Sequence, residues 1–123
     1  LSYEEKYHQA RAAYESRDYR RAIELFEGLL ARDMTHSLSD NCQYWIGESY
    51  YGLENYEQAI LEFEKVFTFA ESNKDADSQL KLGYCFKQLG DKEMARMHFQ
   101  KVIDNYPSSG RITLAKYELK QLE

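Results

Sequence analysis

Hydrophobic and polar positions between Asp40 and Glu71 (DNCQYWIGESYYGLENYEQAILEFEKVFTFAE) alternate as two amphipathic helices joined by a tight turn. The pattern returns from Ala76 to Pro107. Gly47 recurs as Gly83, Ala59 as Ala95, Phe63 as Phe99 and Val66 as Val102, each 36 positions on. Small and aromatic residues returning in phase at such a period mark a helical repeat array. A fainter copy comes first: Ala22 and Phe26 stand 37 positions before Ala59 and Phe63, with Ala10 for Gly47 and Tyr14 for Tyr51.

This register predicts a first pair of helices over about Ser2 to Ser16 and Tyr19 to Arg32. Asp18, Asn55 and Asp91 hold the same slot in the three copies, where a short polar side chain accepts orphan N–H bonds at a helix start. Asn55 with Gln58 approximates a capping box. The hairpin turns are Ser16-Arg17-Asp18, Leu53-Glu54-Asn55 and Leu89-Gly90-Asp91, and Gly90 is free to take positive φ and end its helix. Polar turns between copies are expected at Asp33–Ser39 and Glu71–Asp75. Pro107 stops the sixth helix. A last amphipathic stretch, Ile112 to Leu122, puts Ile112, Ala115, Leu119 and Leu122 on one face, as a helix that caps a solenoid would.

The order of small residue, aromatic, alanine, aromatic and proline resembles the tetratricopeptide repeat (TPR). Gly47, Tyr50, Ala59 and Phe63 carry it in the second copy, and Gly83, Phe86, Ala95, Phe99 and Pro107 in the third. The chemistry is close packing: a small residue lets two helix backbones approach and a ring fills the space beside it. The resemblance implies an all-α superhelix of three TPR helix-turn-helix repeats, about 3–36, 40–73 and 76–109. A capping helix at about 110–122 completes a single domain over 1–123. It also implies an inner groove lined by the first helix of each repeat. The groove positions are Glu4, Tyr7, Arg11, Tyr14 and Glu15; Asn41, Tyr44, Glu48, Tyr51 and Gly52; and Asp77, Leu80, Tyr84, Lys87 and Gln88. Five of the eleven tyrosines fall there, and tyrosine offers rigid contact area with a polar tip. Of these, Tyr7, Arg11, Tyr14, Asn41, Tyr44, Glu48, Tyr51, Tyr84 and Lys87 are the candidate partner-binding residues. Asn41 can pair with a backbone amide through both ends of its side chain, and Arg11, Glu48 and Lys87 would set register by charge. Rings at helical spacing generally serve a core, the place assigned to Trp45, Tyr50, Phe63, Phe86 and Phe99. Exposed charge such as Glu62, Glu64 and Lys65 reads as a solvated face.

Composition narrows the function. A net charge of −5 argues against nucleic acid as the partner. No apolar run approaches the roughly 20 residues needed to cross a bilayer. The chain begins at Leu1, not methionine, so it is expected to be a domain excised from a longer protein, and missing targeting signals carry no weight. Cys42 and Cys85 read as buried free thiols rather than a disulfide or metal pair. His8, His36 and His98 lie far apart, and a site of Glu4, Glu5 and His8 is less economical than a solvated first turn. With no phosphate loop or nucleophile motif, neither catalysis, nor a metal, nor a cofactor is expected.

One branch of the family captures C-terminal carboxylates with a basic clamp. The matching positions are Tyr7, Arg11, Trp45, Asp77 and Lys81; only Arg11 and Lys81 are basic and Asp77 has the wrong sign, which excludes that clamp. A closer likeness lies in Tyr44-Trp45-Ile46-Gly47-Glu48-Ser49-Tyr50-Tyr51, Leu80-Lys81-Leu82-Gly83, Leu89-Gly90-Asp91 and Val102-Ile103-Asp104-Asn105-Tyr106-Pro107-Ser108-Ser109. These runs resemble the C-terminal domain of the periplasmic YbgF/CpoB proteins of the Tol-Pal envelope system, over about Asp40 to Leu122. Departures are Glu71 where that family commonly has proline, the two cysteines and a less regular first repeat. The resemblance implies a periplasmic adaptor in cell division that binds a TolA-like envelope protein and oligomerises through regions outside this chain. The alternative is a self-association or outer-membrane-assembly scaffold.

Overall fold

The computed structural model describes residues 1–123 as seven helices and no strand: α1 (Tyr3–Glu15), α2 (Tyr19–Arg32), α3 (Ser39–Gly52), α4 (Tyr56–Val66), α5 (Asp75–Gln88), α6 (Lys92–Asn105) and α7 (Ile112–Gln121). Each helix packs on the next in chain order, so the core is a row of linked clusters rather than one centre. The phase explains the row. Ala22, Ala59 and Ala95 are completely buried, as are Phe26, Phe63 and Phe99. The Phe63 ring lies so close to Gly47 that a Cβ there would meet it at 2.7 Å, and Phe99 crowds Gly83 in the same way.

Asp18, Asn55 and Asp91 cap α2, α4 and α6, each accepting the N–H three residues on. The turn before each cap needs a left-handed residue, and Arg17 (φ 63°), Glu54 (φ 60°) and Gly90 (φ 81°) supply it. Only the third repeat meets that need with glycine. The expected box at Asn55 and Gln58 is half formed, because the Gln58 amide turns to the Glu62 carboxylate at 2.7 Å instead. A reciprocal box does open α1, between Ser2 and Glu5.

Two further expectations change. Helix α4 stops at Val66, five residues before Glu71. The N–H groups of Phe67, Thr68 and Phe69 bond carbonyls three residues back, at 3.1–3.2 Å, which tightens the chain into turns. Glu62 is no solvated charge. It is buried, and its carboxylate accepts from Gln43 and Gln58 and faces the Lys65 ammonium at 3.2 Å. Those donors offset the cost of taking a carboxylate out of water.

At the far end α7 closes the third cluster with Ala115, Ile112, Leu119 and Leu122. It also grips α5 by charge: Arg111 pairs with Asp77, and Glu118, itself buried, with Lys87 at 2.7 Å. Cys42 and Cys85 are buried free thiols whose pKa values burial pushes up to about 12.

Candidate functional site

The odd-numbered helices lie side by side and leave a cleft of about 500 Å³ between α3, α5 and α7. Residues about one and two turns apart on each helix line it: Tyr44, Glu48 and Tyr51 from α3; Asp77, Leu80, Lys81 and Tyr84 from α5; Leu114 from α7 and Arg111 from its N-cap. Ion pairs close both seams. Lys81 reaches Glu48 at 3.1 Å across α3–α5, and Arg111 meets Asp77 across α5–α7. The Lys81 ammonium also lies 5.1 Å from the Tyr51 ring centre and 5.7 Å from that of Tyr84.

Glu48 is 8% exposed. Burial raises its pKa above the ordinary carboxylate value, opposed by Lys81. Burial likewise raises the hydroxyl pKa values of Tyr14, Tyr44, Tyr51 and Tyr84. These phenols therefore remain neutral hydrogen-bonding groups. No group of three or more His, Cys, Asp or Glu side chains is placed to hold a metal ion.

A second cluster adjoins the first around Trp45. Arg11 stacks over its ring with the guanidinium carbon 3.9 Å from the centroid, Tyr14 and Tyr44 flank it at 4.9 and 5.1 Å, and its N–H donates to the Tyr7 hydroxyl at 3.0 Å. Lys74, from the loop before α5, holds its ammonium 5.1 Å from the Tyr44 ring centre and 5.6 Å from that of Trp45.

The candidate residues thus separate. Tyr51 and Tyr84 are half-buried cleft walls. Tyr44 lines the cleft but is 6% exposed, wedged between Trp45 and Phe63. Arg11 and Tyr14 join the Trp45 cluster, and Asn41 lies one helical turn before Trp45 on α3. Tyr7 is a correction. It is 5% exposed, packed edge-on to Phe26 in the first cluster, and only its hydroxyl reaches toward the groove. Lys87 is another, held by Glu118 of α7 rather than presented to a partner. Trp45 reverses its assignment, since it is a half-buried groove residue. The spacing missed Lys74, Arg111 and Leu114, which stand outside the first helices of the repeats.

A helical-hairpin array with a tyrosine-lined inner cleft defines a helical-repeat protein as the class. Models of the tetratricopeptide repeat match residues 7–73 and 77–109, and the chain belongs to that family. No curated protein matches it by sequence. Among solved structures it resembles the type III secretion chaperone SycD of Yersinia enterocolitica, in complex with a peptide of the translocator YopD (TM-score 0.79, 17% identity, 97% of this chain and 87% of that one). PcrH from Pseudomonas aeruginosa is similar (TM-score 0.82, 19% identity, 99% and 94%), and PcrH is also known in complex with the chaperone binding region of PopB. So is the second TPR domain of human RPAP3 with the HSP70 peptide SGPTIEEVD (TM-score 0.75, 20% identity, 95% and 91%). At these identities the likeness is one of fold.

Proposed function

We propose that the chain is a non-catalytic scaffold that docks a segment of a partner protein in the cleft between α3, α5 and α7. The observation that carries the reading is the cleft itself: an inner surface of tyrosines and leucines, with the Tyr51 and Tyr84 rings half-buried and Leu114 exposed, whose charges are neutralised across each seam. Such a surface gives a ligand apolar contact without leaving it an unpaired charge to bury. Similar folds hold peptides of YopD, PopB and HSP70, which supports a peptide as the occupant.

The finer reading is a periplasmic adaptor of the Tol-Pal and cell-division machinery with a TolA-like partner. Its support is the Tyr-Trp-Ile-Gly-Glu-Ser-Tyr-Tyr run of α3, together with Val102 to Ser109. Titration calorimetry against the soluble periplasmic part of TolA tests it. Binding that Leu114→Asp weakens by about 2 kcal/mol supports the adaptor, and no binding by the intact chain removes TolA. Self-association is the second outcome to watch, and light scattering that shows a concentration-independent monomer dismisses it for this chain.

A further inference from the structure

The docking reading leaves open what chemistry the partner segment carries. We propose that it carries an internal acidic side chain, received between Arg11 and Lys74 over the face of Trp45. The inference rests on the docking reading and deepens it.

Two cations share the surroundings of one indole ring. Arg11 stacks on Trp45 at 3.9 Å, and Lys74 stands 5.6 Å from the same centroid. Like charges brought to one platform repel unless an anion joins them. Arg11 meets one carboxylate of the chain, that of exposed Glu15, at 3.2 Å from the next turn of α1, and Asp40 near Lys74 is engaged by Ser72 at 2.6 Å. The Lys74 ammonium makes no ion pair or hydrogen bond within the chain and lies over the Tyr44 and Trp45 rings, whereas Lys81 and Arg111 are paired with Glu48 and Asp77.

Unmet hydrogen-bonding capacity gathers at the same place. The Nε of Arg11 is buried with no acceptor, and the Oδ1 of Asn41, one turn before Trp45, is buried with no donor. A segment crossing here in extended form offers both complements: a carboxylate for Arg11 and Lys74, and a main-chain N–H for Asn41. The net charge of the chain is −5, and against that background the Arg11 guanidinium and the Lys74 ammonium give an acidic side chain a defined landing point. Asp77, which the comparison with the carboxylate clamp set against an acidic ligand, is neutralised by Arg111 at the N-cap of the capping helix. The side-chain source is chosen over a chain terminus because the clamp positions at Tyr7 and Trp45 carry no cation.

Selection from a random peptide library tests this, with each peptide displayed between two folded partners so that it has no free end. The baits are the intact chain and its Lys74→Gln variant, with Lys74→Arg as the conservative control. Lys74 holds nothing in the core, so thermal midpoints should agree. The expected result is enrichment of Asp and Glu by the intact chain. Changing the selected acid to its amide should weaken binding about tenfold, and that difference should vanish in Lys74→Gln and return in Lys74→Arg. The fluorescence of Trp45, the sole tryptophan, reads binding directly. Binders with no acidic bias, or a bias that survives Lys74→Gln, overturn the inference and leave the docking reading standing. The absence of any binder removes both.

Discussion

Alanine at Gly47 and alanine at Gly28 are the same chemical change, and the fold assigns them opposite signs. Both glycines lie within helices, where alanine is favoured by about 0.5–1 kcal/mol because the unfolded glycine has more freedom to lose. Nothing stands within 4 Å of a Cβ at Gly28, which is exposed on α2, so Gly28→Ala should be stabilising by that amount. At Gly47 the new methyl meets two Phe63 ring carbons at 2.7 Å, and Phe63 is completely buried with nowhere to turn. Overpacking of this kind costs roughly 1–3 kcal/mol. The net for Gly47→Ala is a loss of up to about 2.5 kcal/mol, centred on ~1 kcal/mol, after the helix gain is set against it. Urea unfolding followed by circular dichroism reads both variants. With a slope on the order of 1–3 kcal/mol/M, the midpoints should move in opposite directions with the slope unchanged. If Gly47→Ala is stabilised as much as Gly28→Ala, the helix pairs are not packed in the described register.

Three further outcomes follow from the same coordinates. Arg17→Gly and Glu54→Gly should each stabilise by about 0.5–1 kcal/mol, since both residues hold the left-handed turn that Gly90 occupies in the third repeat; Gly90→Ala should lose a similar amount by thermal unfolding. Glu48 has a raised pKa in the folded chain because it is buried, so the folded state holds its proton more tightly than the unfolded state does. Its contribution is present below the ordinary glutamate pKa and is lost as pH climbs through the higher folded value. Stability should therefore fall across that window, and Glu48→Gln should flatten the fall; an unchanged profile would mean that the carboxylate is hydrated. Leu114 is 41% exposed yet lines the cleft, so Leu114→Asp should weaken partner binding by about 2 kcal/mol while leaving the thermal midpoint in place. A binding constant that does not move places the partner elsewhere.

The hairpins were legible because packing repeats: wherever two helices cross, one small residue and one ring must return, and Gly47–Phe63 and Gly83–Phe99 obey that demand in the sequence itself. The site was legible only in part. Tyr7 and Trp45 exchange roles because the Tyr7 ring packs on Phe26 in the first cluster, and its buried hydroxyl then serves as an acceptor for the indole. Glu62 carries the same charge as its exposed neighbours, and only the arrival of Gln43 from α3 makes its burial tolerable. Lys74 enters the groove from the turn between the second and third repeats and Arg111 from the N-cap of α7, where periodicity has no purchase. Leu114 does so from α7, which the sequence presented as a cap.

A cleft of similar volume, about 500 Å³, lies among α4, α5 and α6, lined by Phe67, Phe86, Met94 and His98, and it offers the natural contrast. Backbone amide chemical-shift mapping of the chain with a library-selected peptide distinguishes the two surfaces. Perturbations concentrated at Tyr51, Lys81, Tyr84 and Leu114 are the predicted result. Perturbations confined to Phe67, Met94 and His98, with the tyrosine cleft silent, would contradict the account.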